Sequence, residues 1–415
     1  MKRYLLHSIY LMTAFISLLA CFSCDNEDPP TPAPSLPGKP GETLERTLII
    51  YMVGENTLSG GRNYVLLDSL EIAQGLARIG VNHRVVVYID DTKSSRLCVG
   101  TREEPLQVVK TYNRNICSTD SADMEMVLKD IIETYPASNY GLVLWSHASG
   151  WLPAEKRYVR KSFGVDNGMR SSEELFGEQM PIPTLAHVLG HFPHFEFVFF
   201  DACFMQCVEV AYELRRVTDY VVGSPAEIPG LGAPYELLLQ PMCRIPADIE
   251  GMLNGYVDYY LNDATAYTYD GVELSAIRTS ELEALAQATA PYLKRLFDGR
   301  SRPDCSQVQR FFFNPYFTKY TEFYDMENLM YQHLEESEYT AWRDVLDRAV
   351  PVCLLTEEWY SSYPYGIGSR CRVTDIDHTG GVSICVPSES FKSEWLEEFQ
   401  HMEWYKDTGL SSTGW

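Results

Sequence analysis

Four stretches of this chain run almost unbroken in apolar residues: TLIIYMV at 47–53, HRVVVYI at 83–89, GLVLWS at 141–146 and FEFVFF at 195–200. A strand with one wet face alternates apolar and polar residues, because successive side chains point to opposite sides. A strand that stays apolar at successive positions must bury both faces, the condition inside a parallel sheet covered by helices on either side. Between the runs, apolar residues recur at helical spacing from Asn63 to Ile79, from Met124 to Tyr135, around Pro183 to Leu189, and from about Cys203 to Val217. This alternation predicts a layered α/β domain, with any ligand site beyond the carboxyl ends of the strands. With 415 residues, 45% hydrophobic and 13% aromatic, the chain can bury a large core of that kind.

A formal net charge of −23 argues against a nucleic-acid partner, since neutralising phosphates takes clustered Lys and Arg, and makes basic ligands the better electrostatic match. The amino-terminal segment is an address. Lys2 and Arg3 precede an apolar run from Tyr4 to Ala20, too short to span a bilayer comfortably and flanked like a secretory signal. Leu18-Leu19-Ala20-Cys21 resembles a bacterial lipobox, which makes Cys21 the preferred lipidation site; Cys24, followed by the acidic residues Asp25 to Asp28, is the second candidate. Residues 1–24 therefore read as a lipoprotein-type signal, with a cleaved signal and free secretion as the alternative. Residues 25–45, carrying Pro29, Pro30, Pro32, Pro34, Pro37 and Pro40, read as an extended tether. The expected location is an outer-membrane or cell-surface lipoprotein, with a periplasmic or secreted protein as the other choice.

Two strand ends carry chemistry. One run finishes at Trp145-Ser146 and presents His147; another finishes at Phe200 and presents Asp201-Ala202-Cys203, where the helical pattern resumes. Neighbouring parallel strands end on the same edge, so an imidazole and a thiol can meet there. Such a pair suffices for covalent catalysis: the thiolate attacks, favoured by a helix N-terminus and an imidazolium, and the imidazole protonates the leaving amine. Backbone N–H groups of Ala148 and Cys203 are the candidate oxyanion donors. Taken alone, a strand-end His is more often structural and a Cys at a helix start more often inert.

The turn SHASGW, the turn DAC, the opening LIIYMVGENTL and the later stretches SPAEIPGLG, TAYTYDGVELSAI, YTEFYDMENLM and GGVSICVP together resemble the clostripain family of cysteine peptidases, within the caspase-like clan. The resemblance runs from about Arg46 to the carboxyl end. It implies a caspase-like three-layer α/β/α sandwich with a mostly parallel central sheet, and hydrolysis of peptide bonds after Arg or Lys by a Cys–His dyad. On that reading His147 and Cys203 are the dyad, Asp201 is the acid of the primary specificity pocket, and Glu227 is a second acid for it. Ala148 stands where the family usually has Gly, so a left-handed backbone there would make its Cβ costly; Glu55 stands where an aspartate is common.

Family members often activate themselves by cutting the loop after the histidine turn. Here that loop is LPAEKRYVRKSFG, with Lys156, Arg157, Arg160 and Lys161 in a strongly acidic chain, which marks Arg160 or Lys161 as the expected autocleavage residue; a solvated surface loop is the bland alternative. The catalytic domain is expected over 46–247, with 248–415 a smaller subdomain packed on its sheet. In the latter, Leu282 to Phe297 and Met326 to Arg348 have helical spacing, and the tyrosines at 256, 259, 260, 267 and 269 are as easily explained by packing as by a ligand surface. No metal site is expected: Cys207, one turn beyond Cys203, lacks further ligands, and in HVLGHFPH the place of the metallopeptidase glutamate after His187 is taken by Val188, leaving His191 and His194 without a zinc motif. The chemistry needs no cofactor, and calcium stays open with no motif to indicate it. Cys98 and Cys117 flank a polar excursion and are candidates to pair, whereas Cys353 and Cys385 sit in apolar runs as small hydrophobes. The expected partners are proteins or peptides with basic residues, and a membrane through the lipid anchor. The reading from another class is a catalytically silent surface protein that binds proteins through the same fold.

Overall fold

The apolar runs are strands with both faces covered. In the computed structural model β1 (Leu44–Val53) sends Ile49, Tyr51 and Val53 into one hydrophobic cluster and Leu48, Ile50 and Met52 into another, all without solvent exposure. The structure describes residues 38–112, 116–152, 162–168, 177–262, 271–311, 322–361, 369–387, 391 and 393–415, and Leu36–Trp415 forms one compact unit.

The remaining strands are β2 (His83–Asp90), β3 (Ser95–Thr101), β4 (Gln107–Thr111), β5 (Ala137–Trp145), β6 (Phe163–Asp166), β7 (Glu178–Met180), β8 (Phe195–Asp201) and β9 (Thr218–Gly223). They are followed by β10 (Glu273–Arg278), β11 (Arg310–Phe311), β12 (Phe323–Asp325), β13 (Val352–Leu355), β14 (Glu358–Ser361), β15 (Ser369–Arg372) and β16 (Ser383–Cys385). Nine of them build the central sheet in the order β13-β10-β9-β8-β5-β1-β2-β3-β4. The inner five, β9 to β2 in that order, are mutually parallel, and antiparallel strands close both edges. This is the mostly parallel sheet that the apolar runs predict.

Helices cover both faces. On one side lie α1 (Tyr64–Gly75), whose Val65 and Ile72 are buried, and, later in the chain, a pair of helices at Tyr235–Cys243 and Ile249–Asn262. On the other lie α2 (Ser121–Thr134), α3 (Ile182–Leu189) and α4 (Val208–Leu214). The Tyr235 and Ile249 helices are α5 and α6; α7 (Leu282–Phe297), α8 (Met326–His333), α9 (Glu336–Ala349), α10 (Ser393–His401) and α11 (Glu403–Asp407) complete the set. Asp120 starts α2 by accepting from the N–H groups of Ala122 and Asp123 at 2.9 and 3.1 Å, the bonds that an N-cap side chain supplies.

Three expectations are corrected. The helical pattern from Cys203 to Val217 becomes a helix only at Val208, because Phe204 takes a left-handed backbone (φ 62°) and the Phe204 and Gln206 N–H groups donate to the carbonyls of Ala226 and Ser224 instead of winding. Cys207 is therefore the residue before a helix, buried among apolar neighbours, and not one turn along it from Cys203. The pattern from Met326 to Arg348 is two helices, broken where Glu335 and Glu338 form a reciprocal capping box that starts α9. Cys98 and Cys117 are both free thiols. The portion after residue 248 packs on the sheet and also adds β10 and β13 to it. Tyr256 and Tyr260 are core residues stacked at 5.3 Å, while residues 267 and 269 lie outside the described part.

Candidate active site

Register brings the two informative strand ends together. In the β5–β8 ladder Trp145 pairs with Asp201, and the Ser146 N–H donates to the Asp201 carbonyl at 3.4 Å. His147 and Cys203 each follow the last rung by two residues, so they leave adjacent parallel strands at the same level of the same edge. The two turns also touch. Gly150 has φ +70°, and a Cβ there would lie 2.6 Å from the Phe323 ring and 3.3 Å from the Phe204 carbonyl oxygen, so only glycine lets the histidine turn close onto the cysteine turn.

His147 is half-buried, with its Nε2 2.8 Å from the Thr57 hydroxyl, and its carbonyl accepts from the Gly164 N–H at 3.0 Å. Ala148 is buried and forms an isolated antiparallel bridge with Phe163. Its backbone is not left-handed, so the Cβ that replaces the usual glycine hydrogen brings no conformational strain.

Cys203 is half-buried, its sulfur accepting from the Ile228 N–H at 3.4 Å and approaching the Ile228 carbonyl at 4.0 Å. Because α4 starts only at Val208, the sequence expectation of a helix N-terminus that lowers the thiol pKa is not met. Burial raises that pKa strongly, the charge of Glu227 adds to the rise, and the Ile228 N–H works against it. These influences together favour the thiol over the thiolate.

Asp201 points away from the Cys203 loop's own face, into the layer under α1, α5 and α6. Its carboxylate accepts from the Ala233 N–H at 3.0 Å and from the Tyr235 hydroxyl at 2.8 Å. Gly232, at φ +62°, brings the loop against it; a Cβ there would sit 2.9 Å from Asp201 Oδ2. Asp68 on α1 is a second buried acid beside it, accepting from the Trp145 indole N–H at 2.6 Å. Burial pushes the Asp201 pKa up to about 6 despite the two hydrogen bonds. Burial, and then the Asp201 charge, push Asp68 well above the usual carboxylate range. Among the described residues neither acid has a cationic partner. Glu227 is buried in the loop after β9 and acts electrostatically on Cys203. Sequence reasoning missed Asp68 and Thr57. Asp68 had a signal, an acid in the buried α1 stripe of Val65, Asp68 and Ile72; Thr57 had none.

Elsewhere, Glu55, Asp90 and Asp166 are buried with one oxygen each inside a 4.8 Å group, hard donors of the kind a calcium ion takes. Two of the three already accept from protein donors, Asp90 from the Ser95 and Ser118 hydroxyls at 2.8 and 2.6 Å and Asp166 from the Ser118 and Gly168 N–H groups. Burial and the neighbouring Asp90 push Asp166 up to about 7. A hydrogen-bonded carboxyl cluster that ties β6 to the end of β2 accounts for these contacts. His187, His191 and His194 are exposed; His191 faces Glu125 at 3.2 Å and His194 faces Asp219 at 2.9 Å. Arg160 and Lys161, with the rest of the basic loop, and the candidate lipidation residues Cys21 and Cys24 lie outside the described residues.

The model for the clostripain family, Peptidase_C11, matches residues 50–413. A secreted C11 cysteine protease from Bacteroides thetaiotaomicron, solved with an irreversible peptide inhibitor, is 29% identical and superposes with a TM-score of 0.75, covering 89% of this chain and 99% of that one. An inactive zymogen C11 protease from Parabacteroides distasonis is 30% identical over 88% of this chain and 99% of its own, with a TM-score of 0.74. A cysteine protease from B. fragilis is 32% identical over 57% of this chain and 96% of that one, with a TM-score of 0.51. No curated protein matches the chain. Among the described residues no helix is long and apolar enough to cross a membrane. With a family model spanning nearly the whole described unit and this sheet architecture, the chain belongs to the clostripain family and is a cysteine peptidase.

Proposed function

We propose that this peptidase is an endopeptidase that cuts after Arg or Lys, with Cys203 as nucleophile and His147 as its general acid and base. The observation that carries the reading is the shared rung Trp145–Asp201, from which both residues follow at equal distance along adjacent strands. His147 takes the thiol proton as sulfur attacks the scissile carbonyl carbon, and returns it to the departing amine when the C–N bond breaks. Water then releases the acyl group by the same route in reverse. The N–H groups of Ala148 and Cys203 are the proposed donors to the oxyanion.

Basic specificity draws its support from Asp201 and Asp68, two buried acids near the nucleophile's strand with no cationic partner among the described residues, and from Glu227, a further acid that acts electrostatically on Cys203. A cationic side chain entering there would relieve an electrostatic cost that the fold retains. Self-activation by a cut at Arg160 or Lys161 is supported by four basic residues in one loop of an acidic chain, and by the zymogen character of the Parabacteroides relative. Anchoring through Cys21 or Cys24 rests on the lipobox-like sequence and accords with the secreted character of the Bacteroides relative.

Purified protein incubated with fluorogenic Arg and Lys peptides, with and without a thiol alkylator, tests the reading. Turnover that alkylation abolishes is expected; turnover that survives it, or cleavage after uncharged residues only, would remove the assignment. A Cys203→Ala chain is expected to stay intact at the basic loop when purified alone, and clipping there would refute an intramolecular cut.

A further inference from the structure

His147 is gripped from outside its own turn. Thr57, whose hydroxyl lies 2.8 Å from Nε2, opens the short 3-10 turn Thr57–Ser59, with three residues between it and the end of β1. That turn is itself braced. Asn56 Oδ1 accepts from the Leu58 N–H at 2.9 Å, and its Nδ2 donates to the carbonyls of Val53 and Val165 at 2.9 and 2.8 Å. The histidine side is braced by the same strands: the Ser146 hydroxyl donates to the Val53 carbonyl at 2.8 Å and accepts from the Val165 N–H at 3.2 Å, and Gly164 donates to the His147 carbonyl. Both ends of the Thr57–His147 contact are thus mounted on β1, β5 and β6, and both residues are half-buried, where water competes poorly for the bond.

An imidazole that moves a proton with one nitrogen is oriented by what holds the other, because that second bond selects the tautomer. From the Thr57 contact we infer that Thr57 is a positioning residue for His147: its hydroxyl accepts from Nε2–H, so that Nδ1 carries the lone pair that takes the Cys203 proton. The proton then passes from Nδ1 to the leaving amine as the C–N bond breaks, and Nε2–H stays on the threonine oxygen throughout. This assignment rests on the His147–Cys203 reading above. The opposite donation, from hydroxyl to Nε2, would put the proton on Nδ1 and leave the resting ring unable to accept one from sulfur.

The test uses the full chain with Thr57→Val, which keeps the shape and removes the oxygen, and Thr57→Ser, which keeps the oxygen. Thr57→Val is expected to lower kcat on the order of 10- to 100-fold with little change in KM, the loss that misplacing a catalytic group brings. Thr57→Ser is expected to restore most of that rate and the wild-type pH profile. The tautomer is read directly from ¹⁵N-histidine spectra of Cys203→Ala protein with Thr57 in place, where His147 is expected to show a protonated Nε2 and an unprotonated Nδ1. Unchanged kcat and pH profile in Thr57→Val, or a resting Nδ1–H, would overturn the assignment, and the second result decides even if Thr57→Val does not fold. His147→Ala separates the layers: if it retains turnover, the dyad itself falls, whereas an inactive His147→Ala beside a fully active Thr57→Val removes only the role of Thr57.

Discussion

Replacing Asp201 with Asn should make the protein more stable at alkaline pH while it impairs the enzyme. Asp201 is 3% exposed, and burial lifts its pKa from 3.8 to about 6. The sign follows from linkage. Below the ordinary value the group is protonated in folded and unfolded chains alike and contributes no pH dependence. As pH rises toward 6, the unfolded chain loses its proton first, so folding is progressively penalised, and above 6 the penalty is complete. A shift of this size amounts to about 3 kcal/mol at pH 8 and about 1.6 kcal/mol at pH 5. Asparagine cannot ionise and escapes the penalty, but it pairs less well with the Ala233 N–H, a loss of about 1 to 2 kcal/mol that does not vary with pH. Urea unfolding of the two proteins at both pH values isolates the ionisation: the variant should gain about 1.4 kcal/mol on the wild type between pH 5 and pH 8. In parallel, kcat/KM for Arg and Lys peptides should fall on the order of 100-fold, the effect of withdrawing a buried counter-charge. Stability curves that stay parallel between the two pH values would refute the raised pKa, and undiminished turnover of basic peptides would separate Asp201 from substrate.

Glu227→Gln should speed alkylation of Cys203 by iodoacetamide at pH 8, since it removes the charge that adds to burial in holding the sulfur protonated; a rate equal to wild type would show that Glu227 does not control the thiol. Gly232→Ala should destabilise the protein by about 1 to 3 kcal/mol in thermal or urea unfolding, because φ +62° strains an L-residue and its Cβ would lie 2.9 Å from Asp201 Oδ2. A neutral result there would mean that the loop moves freely off the carboxylate.

The sheet was legible because a parallel strand buried on both faces leaves a continuous apolar run, and Leu48 to Val53, Leu142 to Trp145 and Phe197 to Phe200 are such runs. The position of the candidate dyad followed, since strand ends and parallel pairing locate an edge. The conformation between Asp201 and Val208 did not follow. Phe204 is a bulky residue at positive φ, which no local propensity predicts, and it is held there by a long-range bond to Ala226. The extra strand β10 was hidden for a related reason: an antiparallel strand near the edge is chosen by what lies beside it, and Glu273 to Arg278 carries too mixed a pattern to announce burial, whereas β13 falls in the apolar run around Cys353. Thr57 is invisible in sequence because its partner is 90 residues away.

The protonated state of Cys203 ties specificity to reactivity. Burial, Glu227 and Asp201 all disfavour a thiolate, opposed by the Ile228 N–H, which donates to the sulfur at 3.4 Å, and by the N–H of Cys203 itself. A substrate guanidinium bound between those acids would reverse their influence on sulfur. A unit positive charge roughly 7 Å away at an effective dielectric near 20 is worth roughly 2 kcal/mol, enough to raise the thiolate fraction more than tenfold. Binding energy from a remote group would then appear in the chemical step and not only in affinity. Peptides carrying citrulline in place of Arg, which keep the shape without the charge, should therefore lose kcat as well as gain KM, and a small guanidinium compound should accelerate iodoacetamide labelling of Cys203 in the absence of any peptide. A citrulline peptide with a raised KM and an undiminished kcat would confine the acids to binding and leave activation of the thiol to His147 alone.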